Sequence, residues 1–97
     1  MTITLCALLW AADATGHALS AYEDKVLALV PEHAGRVVCR WRSVDPGGDD
    51  GPAEVQVIEF QSRTDLDSFL ADERRTALSG ERDRAIKRTE VFEVEAV

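Results

Sequence analysis

The chain has 97 residues, of which 45% are hydrophobic and 30% charged, a balance typical of a soluble globular protein. This length favours a single domain spanning residues 1–97. Lys and Arg number 11 against 18 Asp and Glu, so the formal net charge is −7. Such an acidic chain is poorly suited to binding nucleic acid or anionic membranes, because both attract clustered basic residues.

Targeting signals and bound metals are not expected from this sequence. No apolar run approaches the roughly 20 residues of a membrane helix, and no basic residue precedes Lys25, which disfavours a signal peptide. Cys6 and Cys39 belong to no Cys-x-x-Cys motif or Cys/His cluster, which argues against a disulfide scaffold and a zinc site. We expect a cytoplasmic protein without a metal or cofactor.

The first third of the chain predicts a strand followed by a helix. Residues 3–11 are apolar and free of Gly, Pro and charge, which is typical of a central strand buried on both faces. Thr15 is the predicted N-cap of a helix over residues 17–30. One stripe at helical spacing comprises Leu19, Tyr22, Val26 and Leu29. Residues 23–25 are expected on the outer side of this helix.

Two strands joined by a hairpin loop are predicted next. Residues 36–44 alternate as a strand does, and residues 53–61 return antiparallel to them. One face of the first strand carries Val37, Cys39 and Trp41, and the other carries Arg36, Val38, Arg40 and Arg42. Residues 45–52 consist of turn formers without a strongly apolar side chain, which indicates the loop.

The last third predicts helical structure and a final strand. Residues 64–67 have the form of a capping box, with Thr64 as the N-cap. The apolar spacing that follows is interrupted near residues 72–75 and at Gly80, so two helical pieces are expected. Residues 89–96 alternate again and predict a strand.

The order strand, helix, strand, strand, helix, strand is that of an α+β ferredoxin-like sandwich, a four-stranded antiparallel sheet with helices on one face. The first and last strands then lie side by side and the second strand lies at an edge. Cys6 and Cys39 fall on strands separated by the third, too far apart for a disulfide, so both are expected to be free thiols.

One face of this sheet has no helix to cover it. The first strand carries apolar side chains of both parities, so one set packs on the helices and the other, which includes Cys6, Leu8 and Trp10, faces away. A large exposed apolar face marks an interface. The sequence therefore predicts a homodimer that buries sheet against sheet.

Four segments carry a family resemblance: Tyr22-Glu23, residues 31–38, residues 57–60 and residues 66–70. Together they resemble a family of small bacterial proteins of unknown function in the dimeric α/β-barrel superfamily. That family often has two glycines before the arginine where this chain has Ala34 and Gly35. The resemblance implies that two ferredoxin-like sheets pair into a barrel. The superfamily includes cofactor-free monooxygenases, muconolactone-type isomerases, haem-degrading oxygenases and chlorite dismutases, so it shares a scaffold but no one chemistry.

Six residues are candidates for a site. His33 is a candidate general base, with a loop histidine bonded to the backbone as the alternative. Arg40 is a candidate anion stabiliser, or else a charge that protects an edge strand from aggregation. Candidates for ligand binding are Trp41, Arg42, Tyr22 and Arg84, for which core packing or a solvated charged face is the alternative. Arg75 is open to the same reading as Arg84, a residue that anchors the dimer or reaches a ligand, with a solvated charged face as the alternative.

Three functions remain open at this point. The first is binding of a small anionic or aromatic molecule between the sheet and the helices. The second is a cofactor-independent oxygenase or isomerase for an enolisable aromatic or lactone, with His33 as base and Arg40 stabilising the enolate. The third is a structural or interaction module without a ligand, which predicts no enclosed pocket.

Overall fold

The computed structural model describes residues 2–45 and 48–97. The helices are α1 (His17–Leu27), α2 (Arg63–Leu70), α3 (Glu73–Thr76) and α4 (Ser79–Ala85), and the strands are β1 (Ile3–Ala11), β2 (Gly35–Arg42), β3 (Glu54–Phe60) and β4 (Ile86–Val94). Two short 3-10 turns cover Val30–His33 and Gly48–Asp50. The hairpin loop predicted over residues 45–52 includes residues 46 and 47, which lie outside the described residues. No helix among the described residues is long and apolar enough to cross a membrane.

The sheet has the order β2-β3-β1-β4, and each neighbouring pair of strands is antiparallel. β1 and β4 are therefore adjacent and β2 lies at an edge, as the sequence predicts. This is the ferredoxin-like α+β fold. Cys6 on β1 and Cys39 on β2 are separated by β3, and both are free thiols.

β1 presents apolar side chains to both faces of the sheet. Ile3, Ala7 and Leu9 are buried against the helices, whereas Cys6 and Leu8 have the opposite parity. The molecule extends 37 × 35 Å in two directions and 16 Å in the third, which matches one sheet and one helical layer. We call the other side of the sheet the open face; the strand register gives it Cys6, Leu8, Val55, Val57, Phe92 and Trp41.

β2 departs from strict alternation at Val38. Val37 pairs with Ile58, but Cys39 pairs with Val57, so the register shifts by one residue between them. A bulge of this kind turns the side chains that follow it to the other face of the sheet.

The predicted faces of β2 are therefore wrong beyond the bulge. Cys39 and Trp41 lie on the open face, opposite to Val37, which faces the helices. Arg40 and Arg42 pair with the helix-facing residues of β3, so they too face the helices. The period of two in the sequence does not reveal an inserted residue, because a bulge changes the pairing and not the pattern of residue types.

α1 begins at His17, as the sequence predicts, but with a different N-cap. The N-cap is Gly16, with φ 74° in the left-handed region, and not Thr15. Oδ1 of Asp13 accepts hydrogen bonds from the N–H groups of Thr15 at 3.0 Å and Gly16 at 2.6 Å, which fixes this turn. The Thr15 hydroxyl still accepts from the N–H of His17 at 3.2 Å.

α1 also ends at Leu27, three residues before its predicted end. Pro31 has no N–H to continue the helical hydrogen bonds, and it disfavours helical geometry in the residue before it. The chain continues instead into the Val30–His33 turn, with Pro31 in its first positions. Ala34 closes that turn in the left-handed region, with φ 55°.

The N-cap of the first later helix lies two residues before the predicted N-cap. Ser62 is the N-cap of α2: its Oγ accepts from the N–H of Asp65 at 3.2 Å and donates to Oδ2 of Asp65 at 2.9 Å. The predicted N-cap, Thr64, lies inside the first turn. The sequence contains two overlapping capping boxes, residues 62–65 and residues 64–67, and the helix begins at the earlier one.

Three helices replace the predicted two. Asp72 starts α3, because its Oδ1 accepts from the N–H of Arg74 at 2.9 Å. Gly80 lies within α4 and does not end a helix. β4 follows α4 directly from Ile86, three residues earlier than predicted.

Candidate functional site

A cavity of about 110 Å³ lies between the sheet and the helices. Its apolar wall includes Leu9, Val26, Ile58, Phe60, Leu66 and Phe69. Leu70 and Val91 also line the cavity, yet they are 43% and 54% exposed. The cavity therefore opens to solvent between α2 and β4.

Arg75 of α3 brings a positive charge to this cavity. Its guanidinium carbon lies 5.4 Å from the centre of the Phe69 ring, and Nη1 donates to the carbonyl oxygen of Leu70 at 3.3 Å. Nε of Arg75 is buried and has no hydrogen-bond partner among the described residues. A buried donor without an acceptor costs about 1–3 kcal/mol. A ligand oxygen that accepts from Nε would remove that cost.

Arg82 of α4 adds a second cation to the lining. Its Nη2 lies 3.5 Å from the hydroxyl of Thr89, and its Nη1 lies 3.7 Å from Oδ1 of Asp83. Both contacts are long, so Arg82 keeps hydrogen-bonding capacity. Two guanidinium groups in a mostly apolar cavity favour a ligand with an apolar body and an anionic group.

Tyr22 is the sequence-predicted ligand residue that lines the cavity. It is 2% exposed, and burial raises the pKa of its phenol above the ordinary value, with the charge of Arg75 acting in the opposite direction. The hydroxyl is therefore neutral near pH 7 and can donate a hydrogen bond. The apolar stripe of α1 positions it over the sheet.

Glu23 follows Tyr22 and lines the same cavity. The expectation that it lies on the outer side of α1 is wrong, because it is 6% exposed. Its Oε1 accepts a hydrogen bond of 2.7 Å from Nε2 of Gln56, a neutral group. Burial raises the pKa of Glu23, and the nearby carboxylate of Glu54 adds to that effect. Oε2 has no hydrogen-bond partner among the described residues.

Arg40 shares the acceptor Glu54 with Gln56 and is bound to acidic side chains. Its Nε donates to Oε1 of the buried Glu54, its Nη1 donates to Oδ1 of Asp24 at 2.6 Å, and its Nη2 donates to the carbonyl oxygen of Ser20 at 3.1 Å. The hydroxyl of Ser20 donates to Oε2 of Glu54 at 3.2 Å. Arg40 therefore ties the edge strand β2 to β3 and α1, and it does not line the cavity.

His33 lies at the end of the Val30–His33 turn, outside the cavity lining. Its Nε2 is 2.8 Å from Oδ2 of Asp72, and its ring packs edge-on against Phe69 with centroids 6.1 Å apart. Arg74 also binds Asp72, with Nη2 at 2.8 Å from Oδ2. The hydrogen bonds from Arg74 and His33 together hold the pKa of Asp72 far below its ordinary value. This cluster joins the turn after α1 to the start of α3.

The remaining three predicted residues lie apart from the cavity. Trp41 is 69% exposed on the open face. Arg42 is exposed at the end of β2, and Arg84 is exposed on α4. The structure thus brings Tyr22 to the cavity and distributes the other five candidates elsewhere.

Sequence reasoning missed Glu23 and Gln56, although both carried a usable signal. Glu23 is four residues from both Leu19 and Leu27, which places it on the buried side of α1. Gln56 shares the parity of Ile58 on β3, so it also faces the helices. The sequence offers Arg75, with Arg84, as a residue that anchors the dimer or reaches a ligand, and the structure places Arg75 in the cavity lining. Its helix α3 has four residues and is too short to show a period.

Comparison with known proteins adds evidence on the fold. No protein-family model and no curated sequence matches the chain. A protein of unknown function from Rhodopseudomonas palustris is similar in structure, with 15% identity over 99% of this chain and 82% of that one, and a TM-score of 0.78. A dimeric protein of unknown function from Bacteroides fragilis has 12% identity over 98% and 96% of the two chains, with a TM-score of 0.73.

A third similar structure is that of a proposed antibiotic biosynthesis monooxygenase from Bacteroides thetaiotaomicron. It has 8% identity over 99% of this chain and 90% of that one, with a TM-score of 0.73. The Bacteroides fragilis protein is itself described as having a ferredoxin-like fold. At these identities the likeness concerns architecture alone. The chain therefore has the ferredoxin-like fold that bacterial proteins of unknown function share.

Proposed function

We propose that this protein binds a small molecule with an apolar body and an anionic group in the cavity between the sheet and the helices. The observation that carries the proposal is Arg75, which lines the cavity and whose buried Nε has no hydrogen-bond partner among the described residues. Arg82 supplies a second positive charge and Tyr22 a neutral hydroxyl. A structural module without a ligand predicts no enclosed pocket, so the cavity favours the binding function.

The volume limits the ligand. An engineered apolar cavity of roughly 150 Å³ holds benzene. A cavity of about 110 Å³ therefore suits a short branched chain or one small ring. Larger polycyclic ligands would need the α2 and β4 walls to move apart.

The open face supports a homodimer as the form in which this protein works. Trp41 and Phe92 are 69% and 48% exposed on a face whose apolar side chains also include Cys6, Leu8, Val55 and Val57. A second copy of the same face is the simplest cover, because a twofold axis makes an apolar patch complementary to itself. The dimeric protein from Bacteroides fragilis has the same architecture.

An oxygenase or isomerase that uses His33 as base and Arg40 as enolate stabiliser has weaker support. His33 is bonded to Asp72, and Arg40 is bonded to Glu54 and Asp24. Neither side chain lines the cavity. The monooxygenase activity proposed for the Bacteroides thetaiotaomicron protein is a statement about that protein and adds no support here.

Isothermal titration with benzoate and with benzamide tests the ligand proposal. Benzoate should bind and neutral benzamide should bind far more weakly. Arg75→Gln should weaken benzoate binding about 10- to 100-fold, since a hydrogen bond to a charged group contributes about 1.5–3 kcal/mol. Arg63→Gln is the matched control, because Arg63 pairs with Glu93 outside the cavity. Equal binding of both compounds, or no binding, would refute the proposal.

Native mass spectrometry tests the homodimer. The main species should have twice the monomer mass of 10.7 kDa. Val57→Lys places a charge in the middle of the open face and should yield monomer, whereas Val44→Lys, at a fully exposed site outside the sheet, should leave the dimer intact. A monomeric wild-type protein would contradict this part of the proposal.

A further inference from the structure

Glu23 is a buried carboxyl group without a bonded counter-charge in the cavity wall. Its Oε1 is bonded by the neutral amide of Gln56, and no described residue forms a salt bridge with it. Its Oε2 has no hydrogen-bond partner among the described residues, and Glu23 lines the cavity. One oxygen is thus held in place and the other can meet a ligand.

We propose that Glu23 is a proton-transfer residue and that the cavity takes a small α-keto acid, whose carbon next to the ketone exchanges a proton with Oε2. This inference rests on the proposed ligand site. The carboxylate of such a molecule suits Arg75, its short carbon chain suits the apolar wall, and its ketone oxygen suits the Tyr22 hydroxyl.

The charges around Glu23 favour this role. Glu54 of β3 and Asp24 of α1 both bind Arg40 of β2, so most of the charge of Arg40 is compensated within that trio. Arg75 of α3 is the other cation that acts on Glu23. Burial, with Glu54 nearby, raises the pKa of Glu23 above its ordinary value, which makes its carboxylate a stronger base.

The chemical step needs no oxidant or cofactor. Oε2 of ionised Glu23 takes the proton as the C–H bond breaks, and that electron pair forms a carbon–carbon double bond. The π electrons of the ketone move to its oxygen, where the Tyr22 hydroxyl donates a hydrogen bond to the enolate. The carboxyl of Glu23 then exchanges its proton with water at the mouth and returns a solvent proton to carbon, which restores the keto acid.

The experiment follows exchange of the methylene protons of α-ketoisocaproate by proton NMR in heavy water. Three proteins are compared: the wild type, Glu23→Gln and Glu95→Gln. Glu95 is an exposed carboxyl beyond the end of β4, so its variant controls for loss of a charge. Binding of α-ketoisocaproate and of benzoate is measured on the same samples by isothermal titration.

The wild type and Glu95→Gln should accelerate exchange, and Glu23→Gln should lose about 100-fold or more of that acceleration while it still binds the keto acid. Glu23→Gln keeps the acceptor for Gln56, so retained binding shows that it is folded. If the wild type binds the keto acid without accelerating exchange, or Glu23→Gln exchanges at the wild-type rate, the inference is overturned and the proposed binding site stands. If benzoate binds and the keto acid does not, the substrate class is wrong. If neither binds, the proposed function fails.

Discussion

The side-chain amide of Gln56 donates a 2.7 Å hydrogen bond to Oε1 of Glu23 across the interface between β3 and α1. The same nitrogen donates to Oε1 of Glu54 at 2.9 Å. Both hydrogens of a neutral amide are thus used to hold two buried carboxyl groups, of which Glu54 also has an arginine partner. Glu23 is therefore the member of this network whose charge is least compensated.

The contribution of Glu23 to the free energy of unfolding should fall as pH rises. Its pKa in the folded protein lies above the unfolded value of 4.5, so the native state binds the proton more tightly. The contribution is favourable at low pH and is lost as pH rises from about 4.5 through the folded pKa. Glu23→Gln should reduce this decline and be more stable than the wild type at neutral pH. Urea unfolding between pH 4 and 8 gives the free energy of unfolding of the wild type, Glu23→Gln and the control Glu95→Gln. If Glu23→Gln shows the same dependence on pH as the wild type, the expectation is contradicted.

Arg40→Met should strongly destabilise the protein, because it leaves the buried carboxylate of Glu54 without its cation. Breaking a buried ion pair costs about 3–5 kcal/mol, and the partial exposure of Arg40 places the expected loss near the lower limit. Arg63→Met removes an ion pair that is exposed on both sides and should cost less than about 1 kcal/mol. Urea denaturation of both variants gives the comparison. Equal losses would mean that the Arg40 pair is no more important than a surface pair.

Asp72 should govern stability on the acid side. Arg74 and His33 hold its folded pKa well below the ordinary value of 3.8, so its contribution is present above that value and is lost as pH falls below it. Asp72→Asn should be less stable than the wild type at neutral pH, and the two unfolding curves should converge towards pH 2. Asp67→Asn, at an exposed site on α2, should stay parallel to the wild type. A constant offset between wild type and Asp72→Asn down to pH 2 would contradict this expectation.

The turn before β2 predicts opposite effects for two neighbouring substitutions. Ala34 has φ 55°, where a residue with a Cβ is strained, so Ala34→Gly should gain about 0.5–1 kcal/mol after the entropy of glycine is counted. A Cβ on Gly35 would lie 2.8 Å from Phe60 Cδ1 and Val30 Cγ1, so Gly35→Ala should lose about 1–3 kcal/mol. The thermal unfolding midpoint should rise for Ala34→Gly and fall for Gly35→Ala. A shift of both midpoints in the same direction would contradict this explanation.

Much of the fold could be predicted because its signals are local. The apolar run of β1, the stripe of α1 and the alternation of β3 each depend on residues within one element. The errors occur where two local solutions compete. Ser62 and Thr64 offer overlapping caps, and Gly16 or Thr15 can begin α1; the choice depends on hydrogen bonds to Asp65 and Asp13.

The cavity could be predicted only in part. Tyr22 was identified from the helical stripe, and the same period applied to Glu23 would have placed it inside. Arg75 could not be identified in this way, because its position depends on how the short helix α3 packs beside Phe69. His33 and Arg40 looked available for chemistry in the sequence, whereas their partners Asp72 and Glu54 are 39 and 14 residues away.

The sequence by itself determined the order of elements, the ferredoxin-like architecture and an apolar sheet with two faces, because hydrophobic period and turn chemistry act over a few residues. Tertiary structure decided which side chains share a space. The bulge at Val38 sends Arg40 towards Glu54 and Trp41 to the open face. Packing of α1 on β3 encloses Glu23 with Gln56, since burial and electrostatics depend on neighbours that are distant along the chain.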